Sequence, residues 1–155
     1  MPDLGRREIL LASVLGAALG PEIVSAGTGK GRLEASTKSF QTFQAVHEGL
    51  GSIDVSLFDF GGAAAPANFL IYVIPPGASE GVHLHNLTDP KLGPYDEFYY
   101  IIAGRGRMTI DSETMMVGPG DHIHAPLDSW RGIENIDAKE PLKIFLTYID
   151  RAPKR

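Results

Sequence analysis

The sequence predicts an all-β protein with a single domain, an antiparallel barrel. Short runs rich in β-branched and aromatic residues recur at intervals of roughly 8–12 residues, which is typical of β-sandwiches and barrels. Gly, Pro and Asp separate these runs. After residue 33, apolar residues almost never recur at the 3.6-residue period of a helix. A chain of 155 residues can bury one hydrophobic core but is short for two domains.

The predicted strands follow one another from residue 52 onward. In residues 52–60, Ile53, Val55 and Leu57 stand at alternate positions, which is the period of a half-buried strand. Residues 69–74 form a continuous apolar run that ends at two prolines and a glycine. A similar run at 98–102 precedes the Ala-Gly-Arg-Gly segment at 103–106, which predicts a tight turn. The remaining predicted strands are 107–111, 114–117, 122–125, 132–136 and 141–149.

Residues 1–26 have the pattern of a secretory signal peptide. Arg6 and Arg7 precede an apolar run of roughly 11 residues, shorter than the roughly 20 that a transmembrane helix needs. Pro21 ends the run, and small residues at 24–26 offer a cleavage site. The paired arginines resemble a twin-arginine export signal, which predicts a periplasmic or secreted protein. A general secretory signal and an N-terminal helix packed on the domain are the alternatives.

The rest of the chain divides into two parts. Residues 27–50 begin with a Gly-rich, polar stretch and are expected to form a linker and a first edge strand. Residues 51–150 contain the remaining β-rich runs and are expected to form the barrel. We expect no membrane span, since the one long apolar run is too short.

Composition limits the partners and the metal ligands. The net charge of −5 argues against nucleic acid as a partner, because phosphate binding favours a basic surface. The chain has no cysteine, so any metal must be held by His, Asp or Glu. Four of its five histidines form two His-x-His pairs, His83 with His85 and His122 with His124. The fifth, His47, has no such neighbour and is interpreted as a structural or surface residue.

The pair His83 and His85 is the strongest candidate for a metal site. Residues at positions i and i+2 of a strand point to the same face, so the two imidazoles can converge on one ion. Glu97 begins the next predicted strand, and its carboxylate would complete the set if the two strands paired antiparallel. Two imidazoles and one carboxylate with open positions suit Fe(II), the favoured metal, although Mn, Ni, Zn and Cu are also compatible.

Motifs around these residues resemble those of the cupin superfamily, specifically its small single-domain proteins. Gly77, His83, His85, Glu97 and Gly104 have the order of the first cupin motif, apart from an 11-residue spacer before Glu97 that is usually three or four residues. The interval to Gly104 favours Glu97 over other acidic residues as the ligand. A Pro-Gly-Asp segment at 119–121, followed by a proline and an asparagine, resembles the second motif. The resemblance implies a cupin β-barrel, also called a double-stranded β-helix or jelly roll, and a homodimer.

The second motif departs from the family at the position of the fourth metal ligand. The resemblance places a histidine four residues before Asn135, where this chain has Arg131, and a guanidinium does not bind metals. Either the site has three protein ligands, or His122 or His124 substitutes, with His124 the preferred candidate. Arg131 is a candidate to bind an anionic substrate group, with an ion pair to Glu134 or Asp128 at the barrel rim as the alternative.

The predicted function is that of a metal-dependent enzyme acting on a small organic acid or phenolic compound. Oxygenase chemistry is the favoured class, with Arg131 and Tyr99 as candidate catalytic groups, since Tyr99 shares the face of Glu97. A non-oxidative lyase, decarboxylase or isomerase is one alternative. A non-catalytic periplasmic protein that binds a small molecule or a metal is the other. The insert at 86–96 contains two prolines and is expected to form a loop over the pocket mouth, with a simple surface excursion as the alternative.

Overall fold

A computed structural model describes residues 40–57 and 68–153 of the chain. Within these residues the fold is all-β, as the sequence predicts, and its single 3₁₀ turn spans Val46–Glu48. The predicted signal segment and the start of the linker lie outside the described residues. The ten strands are β1 (Phe40–Gln44), β2 (Ser52–Leu57), β3 (Phe69–Ile74), β4 (Ser79–Leu84), β5 (Tyr95–Ala103), β6 (Gly106–Ile110), β7 (Glu113–Val117), β8 (His122–Ala125), β9 (Trp130–Asn135) and β10 (Leu142–Asp150).

The strands form two antiparallel sheets that face each other. One sheet has six strands in the order β1-β2-β3-β10-β5-β8, and the other has four in the order β4-β9-β6-β7. Most strands contribute alternate side chains to the space between the sheets, and residues from both sheets share one hydrophobic core. Ile53 and Ile144 come from the six-stranded sheet, and Met108 and Ile133 from the four-stranded sheet. This arrangement gives the barrel an inward face on which polar side chains can converge.

The strand predictions agree with the structure in position more than in length. Strands β3 and β8 have the predicted bounds, whereas β5 is longer than predicted at both ends. The last residues of the predicted 52–60 strand lie outside the described residues. Strand β1 lies at the edge of the six-stranded sheet, next to β2. In the described ranges 40–57 and 68–153, no helix is long and apolar enough to cross a membrane.

A β-bulge in β4 determines which of its side chains face the interior. The pairing of β4 with β9 shifts between Glu80 and His83, so that two residues of β4 lie opposite Gly132 alone. Because side chains alternate along a regular strand, residues three apart would otherwise point to opposite faces. The extra residue reverses the alternation, and both Glu80 and His83 are buried. The bulge therefore adds a carboxylate to the inward face.

Candidate metal centre

His83, His85 and Glu97 converge inside the barrel from its two sheets. The Nε2 atoms of the two histidines are 3.2 Å apart, and His85 Nε2 lies 3.5 Å from Glu97 Oε1. Both separations are shorter than twice a metal–ligand bond of about 2.1 Å, so one ion can contact these atoms. All three residues are buried. The structure thus brings together the three predicted ligands.

The route by which these residues meet differs from the prediction. Strand β4, which carries His83, pairs with β9 in the four-stranded sheet, and His85 follows it directly. Strand β5, which carries Glu97, pairs with β10 and β8 in the six-stranded sheet. The antiparallel pairing of these two strands, which the sequence analysis gave as a condition, is therefore absent. Glu97 meets the histidines across the interior of the barrel because the two sheets pack face to face.

The hydrogen bonds of the two imidazoles favour a cation between them. His83 Nδ1 lies 2.9 Å from the Gly81 carbonyl oxygen, and His85 Nδ1 lies 2.9 Å from that of Gly93. A carbonyl oxygen only accepts, so each Nδ1 donates its proton, and in a neutral ring each Nε2 then carries a lone pair. Two lone pairs that face each other at 3.2 Å repel unless a cation binds both. The residues present therefore fit a divalent transition metal.

The insert before β5 takes part in the site. Its Gly93 supplies the carbonyl that fixes the ring of His85, and Tyr95 packs edge-on against the same ring at 5.4 Å between centroids. A Cβ atom at Gly93 would lie 2.6 Å from the ring of Tyr95, and its φ of +77° also favours glycine. The insert thus orients a predicted ligand.

Glu97 is held as a carboxylate with one oxygen free for the interior. Its Oε2 accepts a hydrogen bond of 2.9 Å from the Tyr99 hydroxyl and lies 3.4 Å from Arg131 Nε. Burial alone would raise the pKa of Glu97, but His85, His83 and Arg131 outweigh it and lower the pKa to about 2. Glu97 Oε1 faces His85 and is the oxygen available to a metal.

Arg131 lies inside the barrel and contacts Glu97. Arg131 is fully buried, and it lies opposite His83 in the pairing of β9 with β4. Its Nη2 donates to the carbonyl oxygens of Ala125 at 2.9 Å and Pro126 at 2.7 Å. The alternative of an ion pair with Glu134 or Asp128 at the barrel rim is wrong, because Arg131 is fully buried and contacts Glu97, and Glu134 pairs with Arg107. Arg131 thus occupies the inward position that the family alignment predicted, without pointing into solvent.

His124 lies on the wrong face of the six-stranded sheet to bind the metal, so its prediction as a fourth ligand is wrong. It is exposed, and its ring stacks on Phe98 with centroids 4.5 Å apart. The sheet pairs His124 with Phe98 and Ala125 with Glu97, which places His124 opposite to Glu97 across the sheet. His122 is exposed two residues away and shares this outward face.

Two residues that the sequence analysis did not assign to the site lie beside His83. The ring of His47 stacks on that of His83 with centroids 3.7 Å apart, and its Nε2 lies 3.7 Å from Glu80 Oε1. Glu80 is buried and accepts a hydrogen bond of 3.3 Å from the Tyr72 hydroxyl. Together His47, Glu80 and His83 form a second set of groups with metal-ligand spacing. Of the two interpretations of His47, structural or surface, the surface one is wrong, because its side chain is 8% exposed and stacks on His83.

Burial determines the charge states of this second set in the absence of a cation. It lowers the pKa of His47 to about 4, against the opposing effect of Glu97, and it lowers the pKa of His83 well below its usual range. Both rings are therefore neutral near pH 7 and retain a lone pair. Burial, together with the charge of Glu97, raises the pKa of Glu80 well above its usual range.

The sequence contained only part of the information needed to find these two residues. The contact of His47 depends on the chain turning back after β1, which no local motif specifies. Glu80 lies three residues before His83, so regular alternation would place it on the outer face. Gly81 beside it was the available indication of a bulge, since glycine within a strand often marks one.

Comparisons with known proteins agree with this architecture. A family model described as a cupin domain, Cupin_2, matches residues 70–148. An uncharacterised protein of Methanocaldococcus jannaschii is 39% identical over 73 residues, which cover 47% of this chain and 52% of that protein. The chain thus spans about half the length of this relative.

Two solved structures show the same fold. A predicted oxalate decarboxylase from Thermotoga maritima has a TM-score of 0.61 at 20% identity, covering 76% of this chain and 97% of that one. The Cnp3 cupin domain of Schizosaccharomyces pombe has a TM-score of 0.54 at 16% identity, covering 76% and 74%. Given the two-sheet barrel, the converging His and Glu side chains, and a family model that matches half of its length, this chain belongs to the cupin domain family.

Proposed function

We propose that the protein is a metal-dependent cupin enzyme of the oxygenase class that acts on a small anionic organic molecule. The observation that carries the proposal is the buried set His83, His85 and Glu97, whose ring nitrogens and free carboxylate oxygen face one point. Two histidines and one carboxylate with open positions are the ligand set of many non-haem Fe(II) oxygenases. Fe(II) is therefore the favoured metal.

The metal, when bound, would supply open coordination positions at which dioxygen and an organic substrate meet. The chain's own residues prepare that position. The carbonyl oxygens of Gly81 and Gly93 orient the two imidazoles, and the Tyr99 hydroxyl orients Glu97. Such fixed partners hold the ligands in one geometry, which maintains metal affinity and excludes alternative arrangements.

The position and charge of Arg131 favour an anionic substrate, such as a carboxylate or a phenolate. It brings a permanent positive charge into the interior, where charges interact more strongly than in water. Its Nη1 atom is buried and has no hydrogen-bond partner among residues 40–57 and 68–153. A substrate oxygen that reached Nη1 would satisfy this donor.

Dioxygen uptake by the purified protein tests this proposal. The Fe(II)-loaded protein is supplied with small carboxylic acids and phenols, and dioxygen consumption is followed with an electrode. We expect uptake that depends on one class of these substrates, is lost in His83→Ala, and is retained in His124→Ala. Turnover of a substrate without dioxygen uptake would contradict the oxygenase class and favour a lyase, decarboxylase or isomerase. Tight ligand binding without turnover would favour a binding protein.

We also propose a periplasmic or secreted location and a homodimeric state. The location is supported by the paired arginines and apolar run of residues 1–26. The homodimer is supported by the resemblance to small cupins, and by exposed apolar side chains on the edge strand β7, Met115 and Met116.

A further inference from the structure

Two tyrosine side chains, Tyr95 and Tyr148, lie on the inward face of the barrel next to the predicted metal ligands. Tyr95 alternates with Glu97 and Tyr99 along β5, so the three side chains share one face. Tyr148 lies opposite Glu97 in the pairing of β10 with β5, and it packs against the hydrophobic core. These two residues, the tyrosine pair, therefore belong to the interior of the barrel and not to its outer surface.

The rings of the tyrosine pair contact each other and His85. Their centroids are 4.8 Å apart with the planes inclined by 61°, and the ring of Tyr95 lies 5.4 Å from that of His85 at an angle of 65°. These are edge-on arrangements, which aromatic rings favour. The contacts hold both rings in place beside a predicted ligand.

The tyrosine pair is more exposed than its neighbours on the same inward face. Glu97, Tyr99 and Leu146 are buried, whereas Tyr95 and Tyr148 are only partly buried. Tyr95 is the first residue of β5, and Tyr148 lies two residues before the end of β10, so solvent reaches both rings at one end of the barrel. Two aromatic surfaces are thus accessible beside the candidate metal centre.

A positive charge lies beside Glu97 as well. Arg131 Nε is 3.4 Å from Glu97 Oε2, and Arg131 Nη2 is 3.5 Å from the backbone carbonyl oxygen of Tyr95. The Nη1 atom is buried and has no hydrogen-bond partner in the described part of the chain. A guanidinium, the proposed metal and two aromatic rings therefore surround Glu97. A ligand that complements all of them has a carboxylate attached to a planar ring.

We infer that the tyrosine pair is the ring-binding part of the substrate site, and that the substrate is an aromatic carboxylate. This inference rests on the proposed function, because it narrows the anionic substrate of the candidate metal centre to one class. The carboxylate faces the metal and Arg131, and the ring packs on Tyr95 and Tyr148. Contacts between aromatic rings add to the free energy gained from burying apolar area, so an aromatic acid binds more tightly than a saturated acid of the same size.

Binding of benzoate and of cyclohexanecarboxylate to the zinc-loaded protein tests this inference. The two acids have the same charge and nearly the same size, but only benzoate has a planar aromatic ring. Zinc has no redox chemistry, so calorimetric titration measures binding without oxidative turnover. We expect the wild-type protein to bind benzoate about three- to tenfold more tightly than cyclohexanecarboxylate, which is the effect of one aromatic pair.

Three variants separate the effect of the ring from that of the fold. Tyr148→Leu removes the ring but keeps an apolar side chain, and its preference for benzoate is expected to fall below about twofold. Tyr148→Phe keeps the ring and should keep the preference. The matched control Tyr100→Leu removes an exposed tyrosine on the opposite face of β5 and should keep it too. Tyr148 is chosen over Tyr95 because Tyr95 packs on His85, whose orientation its loss would disturb. Circular dichroism and zinc content establish that each variant is folded and loaded.

Several outcomes would overturn the inference. Equal affinities for the two acids in the wild-type protein, or an unchanged preference in Tyr148→Leu, would exclude the tyrosine pair as a ring-binding surface. Loss of the preference in Tyr148→Phe would assign it to the hydroxyl and not to the ring. Dioxygen uptake with saturated acids but no preference for benzoate would support the oxygenase class and overturn the aromatic site. A preference for benzoate without dioxygen uptake would support the aromatic site and contradict the oxygenase class, so the two failures are distinguishable.

Discussion

At the scale of single residues, the candidate metal centre depends on groups beyond its predicted ligands. Tyr99 and Arg131 both contact Glu97 Oε2, which leaves Oε1 directed at His85. Tyr99 is buried and its hydroxyl has no access to solvent, so the bond to Glu97 satisfies a group that would otherwise be costly to bury. Both residues, predicted from sequence as catalytic, contact the Glu97 carboxylate.

The variant Tyr99→Phe tests this positioning. Removing the hydroxyl leaves Glu97 Oε2 with Arg131 alone, so the carboxylate loses part of its orientation. We expect metal affinity to fall by about 10-fold, the lower end of the effect of a lost outer partner. Titration of the apoprotein with Fe(II) or a substitute divalent metal measures it. The control is Tyr100→Phe, since Tyr100 is exposed on the opposite face of β5. Equal losses in both variants would contradict the role of Tyr99.

At the scale of elements, the bulge in β4 couples the strand to the turn before β2. Position 81 requires glycine, because the His47 carbonyl oxygen occupies the space that a Cβ atom would take. The strand, the bulge and the turn therefore form one packed unit, which carries His47, Glu80 and His83.

The variant Gly81→Ala is expected to disrupt that unit. The added methyl group would lie 1.8 Å from a backbone oxygen, which cannot move without displacing the turn. We expect a loss of about 3 kcal/mol or more in the free energy of unfolding, at the upper end of overpacking effects. Chemical denaturation measures it. At Gly118, no atom lies within 4 Å of an added Cβ, so Gly118→Ala should change the free energy by less than about 0.5 kcal/mol. A Gly81→Ala variant as stable as Gly118→Ala would contradict the docking of the turn.

Asp96 joins three segments around the start of β5. Its Oδ1 accepts the backbone N–H of Leu127 at 2.6 Å, and its Oδ2 accepts from Arg151 Nε at 2.7 Å. Arg151 also donates its backbone N–H to the Pro94 carbonyl. Burial opposes ionisation, but these donors outweigh it and lower the pKa of Asp96.

The variant Asp96→Asn is expected to lose about 1.5–3 kcal/mol of stability at pH 7, the range for hydrogen bonds to a charged group. Because the folded pKa is below the unfolded value of about 3.9, the contribution of Asp96 is complete above that value. It disappears as the pH falls through the folded pKa. Denaturation of wild type and variant at pH 7 and near pH 2 measures the difference, which should shrink in acid. A difference independent of pH would contradict this account, and Asp128→Asn serves as an exposed control.

At the scale of the whole molecule, the sequence predicts the fold better than it predicts the site. Strand runs and turn residues depend on local chemistry, so β3 and β8 were predicted with the correct bounds. The convergence of His83, His85 and Glu97 was also predicted, because motif spacing singled out these residues, while their role as metal ligands stays a prediction. The sheet to which each strand belongs depends on long-range pairing, so the sequence did not show that β4 and β5 lie in different sheets.

The residues that the sequence analysis placed wrongly have a common physical cause. The outward face of His124 follows from its register with β5, which a single strand does not reveal. His47 reaches the interior only because the turn after β1 docks on β4. The polar interior therefore combines residues that are local in sequence with residues brought together by tertiary packing.

Metal content is the measurement that tests the central claim most directly, since the claim is that His83, His85 and Glu97 hold one divalent metal. The purified apoprotein is loaded with Fe(II) without oxygen, and bound metal is counted by elemental analysis. We expect about one ion per chain in the wild type and in His124→Ala, and almost none in His83→Ala or Glu97→Ala. The wild type should also melt at a higher temperature with metal than without, because the ion binds only the folded state. Full occupancy in both His83→Ala and Glu97→Ala would show that the metal binds elsewhere in the protein and would contradict the account.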